Sequence, residues 1–325
     1  MRKLKVGVIG MGSMGKNHAR VYSELDSTNL VAIVDTDGQL RGQMEKKYRT
    51  SAYADYKEMM HQESLDIVSI AVPTVLHREV ALEAINRGLH VLLEKPIASS
   101  LAEAEEIIHA AKAKAVKLLI GHIERFNPAV LELKRRIQQG ELGKVFKVDV
   151  NRVGPMPKRI QDVGVVIDLA VHDIDIMRFL AESEPKRIYA EIEQRAHTKK
   201  EDLLAGLIRF ENDTICYLNV NWLTPTRIRK LYITGEKGMF VIDYLTQDLL
   251  FYENEDASPT SIKEGNMIQF KINRKEPLRN EIEHFVDCVL NDKQPLVTGE
   301  DGKKALDISL KLIQSSQEGR ILKND

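Results

Sequence analysis

Between residues 5 and 122 the chain keeps repeating one alternation: a short apolar run, then a segment with helical spacing. The runs are KVGVIG (5–10), LVAIVD (30–35), DIVSIAVP (66–73), HVLLEKP (90–96) and KLLIGH (117–122), and helical spacing fills 13–25, 38–48, 75–87 and 101–115. A strand that is apolar nearly throughout must be covered on both faces, which is the condition of a parallel sheet with helices on either side. Residues 1–121 are therefore expected to form a doubly wound α/β domain. Gly88, just past the 75–87 segment, suits a helix C′ position. Ser100 followed by Glu103 suits a capping box opening the 101–115 helix.

The pattern changes after Asn127-Pro128. A helix is expected over 128–139, ending at Gly140, and strands over 144–153, 186–196, 203–210, 214–223, 227–234, 238–243, 248–252 and 267–272. One strongly apolar helix, about 164–181, interrupts them, and helices at 277–291 and 300–317 follow; 253–266 reads as a surface loop. Residues 122–325 are thus expected to be an α+β domain on a large, open, mostly antiparallel sheet. Its few helices can cover one face only, so a homodimer or homotetramer joined through the other face is expected.

Composition removes several function classes. A formal net charge of −1 over 325 residues lacks the basic excess of a nucleic-acid binder. No run approaches the 18 or so apolar residues of a membrane span. The basic start MRKLK leads into a short, glycine-bearing stretch without an A-x-A-like cleavage site, unlike a signal peptide. The only cysteines, Cys216 and Cys288, fit small core positions in a reducing cytosol. A cytoplasmic location is expected.

The segment VIGMGSMG places Gly10, Met11, Gly12, Ser13, Met14 and Gly15 between the first strand and the first helix. In a G-x-G-x-x-G turn the first glycine permits the tight turn, and the second lets the backbone approach a pyrophosphate. The third lets helix and strand pack closely, while the helix N-terminus attracts the anion. Asp35 ends the next strand, 20 residues beyond Gly15, where a carboxylate accepts from ribose hydroxyls and repels a 2′-phosphate. With Asp37 beside it and Arg41 the only close cation, NAD is expected rather than NADP. Ala71, Val72, Pro73 and Thr74 close the following strand and should pass under the nicotinamide half, with His77 as a contact. Glu94 and Lys95 stand at the carboxyl end of a parallel strand, the edge where ligands bind in open α/β sheets. Pro96 holds Lys95 extended.

The apolar helix carries DLAVHDID (168–175). Asp168 and His172 are four apart, so they share one face, and a carboxylate so placed can orient an imidazole and raise its basicity. A metal site is the rival reading, with Asp173 and Asp175 as further ligands. Asp173 points away from Asp168 on a helix and no second histidine cluster is near, so no metal is expected.

Taken together, the glycine loop, EKP at 94–96 and DLAVHD at 168–173 resemble the glucose–fructose oxidoreductase, inositol dehydrogenase and MocA family. The resemblance runs down to NEIEHFVDCVLNDKQPLVTGEDGKKALDI (280–308). It implies Lys95, Asp168 and His172 as the catalytic group, with Lys95 steadying the developing alkoxide. The family's glycine-rich lead into that helix is reduced here to Gly164. More narrowly, GHIERFNPAV (121–130) and 152–175 are similar to that family's UDP-N-acetylglucosamine 3-dehydrogenases, implying a nucleotide-sugar substrate oxidised at the 3-hydroxyl. Arg125, Arg152, Lys158 and Arg159, near the implied hydride-transfer centre, would then hold a diphosphate, with His172 also touching substrate. An inositol or free-sugar dehydrogenase stays open as an alternative, as does a dinucleotide-binding sensor without turnover.

Overall fold

The computed structural model describes residues 2–157, 163–196, 199–255 and 263–323. It separates into two compact units, Met1–Ile123 with Glu276–Lys304, and Glu124–Lys275 with Ala305–Asp325. The sequence boundary at 121/122 falls beside the first crossing, but the return of 276–304 to the first unit is invisible to periodicity. An amphipathic helix suits any apolar surface, so its pattern does not say which unit it packs on.

In the first unit, strands β1 (Leu4–Ile9), β2 (Thr28–Val34), β3 (Ser51–Tyr53), β4 (Ile67–Ile70), β5 (His90–Glu94) and β6 (Leu118–Gly121) make one parallel sheet. Its order is 3-2-1-4-5-6. Helices α1 (Ser13–Glu24), α2 (Gly38–Tyr48), α3 (Tyr56–Gln62), α4 (His77–Asn86) and α5 (Leu101–Ala113) connect the strands. Val6, Val8, Val68, Ile70, Leu92 and Leu93 are fully buried, as the double covering requires. The order reverses between β1 and β4, which opens a crevice at their carboxyl ends. Local signals act as expected: Gly88 has φ +78°, and the Ser100 hydroxyl accepts from the Glu103 N–H at 3.3 Å. Glu103 returns a bond to Ser99 rather than Ser100. The pair β3–α3 was not expected. A three-residue edge strand and a seven-residue helix are too short to show a period.

The second unit is built on nine strands ordered β14-β13-β12-β11-β7-β10-β9-β8-β15. These are β7 (Val145–Pro155), β8 (Pro185–Glu193), β9 (Leu203–Phe210), β10 (Ile215–Asn221), β11 (Leu223–Gly235), β12 (Gly238–Asp243), β13 (Asp248–Asn254), β14 (Glu264–Phe270) and β15 (Leu322–Lys323). The β7–β10 pair is parallel and the other pairs are antiparallel, so the fold class expected for this half holds. Strands fill both ends of the expected 253–266 loop; 256–262 lie outside the described residues. Val148, Val150, Ile208, Leu218, Leu231 and Ile233 face a core shared with α6 (Pro128–Gln138), α7 (Val171–Ala181) and the later part of α9 (Gly299–Glu318). The remaining helix, α8 (Pro277–Leu290), belongs to the first unit. The expected 164–181 helix is not regular: Val166–Ala170 form a π turn, in which the Val171 N–H reaches the Val166 carbonyl, before α7 begins.

Candidate active site

The glycine loop has the shape its residues dictate. Gly10 sits at φ +87°, and a Cβ there would lie 2.6 Å from the Ala71 carbonyl oxygen. At Gly15 a Cβ would fall 1.7 Å from the Gly10 carbonyl oxygen. Neither position admits a side chain, because the atoms it would meet are backbone. Around Gly12 nothing lies within 4 Å, so the backbone of the turn is open to an approaching pyrophosphate. Asp35 follows β2 and is tied to this turn: its Oδ2 accepts from the Met11 N–H at 2.7 Å and its Oδ1 from the Asp37 N–H at 2.8 Å. Ser13 is exposed, Met14 half-buried, and Ala71, Val72 and Thr74 are half-buried beside exposed Pro73. These residues suit a dinucleotide.

Lys95 stands half-buried just past β5, before a cis bond to Pro96. Glu94 is buried beneath it. Its Oε1 lies 3.0 Å from His18 Nε2, and its Oε2 accepts from the Lys95 backbone N–H at 3.3 Å. On the other side of the His18 ring, Nδ1 lies 2.6 Å from the Ser69 hydroxyl. Burial alone would raise the Glu94 carboxyl. The bond from His18, with the charges of His18, Lys95 and His77, brings it below the usual carboxylate range. Glu94 is thus an anchor under Lys95. His77 is buried too. Its Nδ1 and Nε2 lie 2.8 and 3.0 Å from the Pro96 and Val72 carbonyl oxygens, and burial favours the neutral ring, in which the one protonated nitrogen donates. It pins two strand-end loops together.

In the second unit the four polar groups of DLAVHDID separate into two kinds. Asp173 and Asp175 are fully buried, whereas Asp168, on the π turn, and His172, in the first turn of α7, stay half-exposed. Asp175 accepts from Arg125 Nε and Nη2, both at 2.6 Å. Asp173 accepts from Arg152 Nε at 2.6 Å, while Arg152 Nη1 reaches Glu124 at 3.0 Å. Against burial, which disfavours its charge, Asp173 and Glu124 hold the Arg152 guanidinium above its ordinary range. The two arginines expected to hold a diphosphate are therefore internal ion-pair partners, and that expectation is withdrawn for both. The other two, Lys158 and Arg159, lie outside the described residues.

Comparison with known proteins agrees with this geometry. Residues 4–122 match an oxidoreductase family with an NAD-binding Rossmann fold, and 130–241 match the GFO/IDH/MocA C-terminal domain. The chain belongs to the GFO/IDH/MocA family. A UDP-N-acetylglucosamine 3-dehydrogenase of Acidithiobacillus ferrooxidans is 26% identical over 96% of this chain and 97% of its own. A solved structure of that organism's UDP-N-acetylglucosamine 3-dehydrogenase superposes with a TM-score of 0.87 at 25% identity, covering 98% of this chain and 99% of its own. A myo-inositol 2-dehydrogenase of Thermotoga maritima is 25% identical over 98% of both chains.

As a GFO/IDH/MocA oxidoreductase the chain uses NAD. Sequence reasoning missed the groups behind Lys95. His18 and Ser69 look like ordinary polar residues of a helix and a strand, and only the fold brings them to Glu94. One weak signal existed: His18 lies three residues beyond Gly15, on the helix face that must pack against the sheet. Among the described residues, no helix is long and apolar enough to cross a membrane.

Proposed function

We propose that this oxidoreductase removes two electrons and two protons' worth of hydrogen from a secondary ring hydroxyl of a sugar, with UDP-N-acetylglucosamine oxidised at its 3-hydroxyl. The observation that carries the chemistry is the sorting within DLAVHDID. Two acids are locked to buried arginines, and only Asp168, on the π turn, and His172, in the first turn of α7, are left half-exposed. In this reading Asp168 orients His172, and His172 takes the hydroxyl proton. Lys95 donates a hydrogen bond to the same oxygen and stabilises its growing negative charge. NAD supplies the acceptor for the carbon-bound hydrogen and its electron pair. Glu94 and His18 keep Lys95 in place from below. Cys216 and Cys288, both free and buried, agree with a reducing compartment, and we place the enzyme in the cytoplasm.

The nucleotide-sugar substrate is supported by the full-length likeness to the Acidithiobacillus enzyme. Oxidation of an inositol is the second reading, favoured by a likeness of nearly equal identity and coverage. Offering NAD with UDP-N-acetylglucosamine, myo-inositol and glucose in parallel tests the choice at the nicotinamide absorbance. NADH formed with inositol and none with the nucleotide sugar would overturn it; no NADH with any sugar or polyol would favour a sensor.

We also propose that the enzyme is a homodimer or homotetramer joined through the second unit's sheet. Leu207, Tyr217, Tyr252 and Met267 stand exposed on that sheet, and Tyr217 lies opposite Leu207 while Tyr252 lies opposite Met267. Apolar cross-strand pairs left open to water make an association surface. Light scattering that shows a monomer at micromolar concentration would refute this.

A further inference from the structure

The core-facing rows of β7 and β11 pair Val148 with Ile233, Val150 with Leu231, and then Arg152 with Arg229. The first two pairs are fully buried aliphatics. The third sets two guanidinium groups opposite each other, which is destabilising unless the charges are answered. Arg152 is answered by Asp173 and Glu124. Arg229 is half-buried and, among the described residues, has no ion pair or side-chain hydrogen bond. Burial, then the charge of Arg152, lowers its pKa. Its neighbour Arg227 is exposed and likewise without an ion pair among the described residues. The Arg227 stem lies over Gly154, where a Cβ would come within 3.2 Å of Arg227 Cγ. A second observation falls at the same place. Arg152 Nη2, Asp173 Oδ1 and the Tyr244 hydroxyl are buried with no hydrogen-bond partner among the described residues, and the Arg152 guanidinium sits 5.2 Å from the Tyr244 ring centroid. A buried polar atom without a partner is costly, and so is a cation pressed against another cation.

We infer that Arg229 and Arg227 bind an oxyanion carried by the substrate, either the phosphate of a sugar nucleotide or the carboxylate of a sugar acid. An oxyanion there neutralises the uncompensated guanidinium, and arginine's fork accepts either group bidentately. The position suits substrate, because Asp173, which bonds the facing Arg152, directly follows His172. The inference deepens the sugar-oxidation reading and rests on it for calling the ligand a substrate.

The test measures binding of UDP, inorganic pyrophosphate and glucuronate by calorimetry to the NAD-loaded enzyme, for wild type, Arg229→Met, Arg229→Lys and Arg227→Ala. Turnover is measured in parallel with UDP-N-acetylglucosamine and myo-inositol. Loss of one charged hydrogen-bonding group should weaken anion binding by about 10- to 100-fold in Arg229→Met, with partial recovery in Arg229→Lys and a smaller loss in Arg227→Ala. KM for the anionic substrate should rise while kcat stays near wild type. UDP and pyrophosphate binding identifies the phosphate source, and glucuronate binding alone the carboxylate. Arg227→Ala changes an exposed residue, so it keeps the test decisive if Arg229→Met does not fold. Wild-type affinity for every anion in both Arg227→Ala and Arg229→Lys, or no anion bound by wild type, would overturn the inference. Turnover of inositol alone would sink the nucleotide-sugar reading and overturn the assignment of the anion to the substrate, even with arginine-dependent anion binding intact; turnover of the nucleotide sugar with that binding lost in the variants would uphold both.

Discussion

Each unit buries a charged cluster, and the two are built on opposite plans. In the first, Glu94 is answered by His18, and a second acid, Glu281 on α8, lies buried nearby with neither oxygen bonded among the described residues. Burial and the negative charge of Glu94 push the Glu281 carboxyl well above its ordinary range. In that cluster one acid is favoured as its anion and the other as its protonated form. In the second, Arg125 and Arg152 meet Asp175, Asp173 and Glu124 as ion pairs, and the surplus group is a cation, Arg229. The difference teaches what each can do. A cluster of acids and a histidine responds to pH, whereas guanidinium groups stay charged throughout the working range and act as fixed scaffolding.

The largest effects are expected at the two groups proposed to act on the substrate, Lys95 and His172. Lys95→Met and His172→Asn should each lower turnover by about 10²–10⁴-fold, with NAD affinity nearly unchanged. Stopped-flow turnover with fluorescence titration of NAD checks this. A variant retaining more than about a tenth of wild-type turnover would remove that residue from the chemistry.

If the second cluster is scaffolding, breaking it should cost stability even without substrate. Arg152→Met leaves Asp173 buried without its guanidinium, and such a loss costs about 3–5 kcal/mol. Urea unfolding should show it as a lower midpoint. A change under about 1 kcal/mol would mean that Asp173 takes up a proton and the pair matters little.

Asp35, proposed to meet the cofactor's ribose, offers a milder contrast, since it is only half-buried. Asp35→Ser removes the acceptor for the Met11 N–H and the repulsion toward a 2′-phosphate. NAD binding should weaken by about tenfold, and its advantage over NADP should narrow. Fluorescence titration of both cofactors reads the ratio; an unchanged ratio would place Asp35 away from the ribose.

These regions were not equally legible in the sequence. The glycine loop and the parallel sheet could be read because their causes are local: a turn that excludes side chains, and strands apolar on both faces. The open sheet was legible for the same reason, through period-2 alternation. Arg125 and Arg152 were misread as substrate cations because their partners lie 50 and 21 positions away, and spacing along a chain does not report who meets whom across a fold. Arg229 escaped notice because its alternation fits an ordinary strand. Only the register to Arg152 shows that an aliphatic row ends in two facing cations. The π turn under Asp168 left no sequence signal, since its composition matches the regular helix that follows.

A contrast in pH dependence sharpens the comparison most, because it sets two acids of one cluster against each other. An unfolded glutamate loses its proton near pH 4.3. Glu281 has a raised folded pKa, so its contribution is fully present below the unfolded value. It declines with rising pH, by about 1.4 kcal/mol for each pH unit over which only the unfolded chain is ionised. Glu281→Gln removes that decline, so the variant should gain on wild type as pH rises above the unfolded value, whatever its stability there. Glu94 has a lowered folded pKa, and its contribution is present above the unfolded value and lost as pH falls through the folded one. Glu94→Gln should therefore lose ground against wild type as pH rises through the acid range. Urea unfolding of both variants across that range gives two slopes of opposite sign. A flat or falling difference for Glu281→Gln would show that Glu281 ionises in the folded chain, and with it the first cluster would lose the retained proton that distinguishes it from the second.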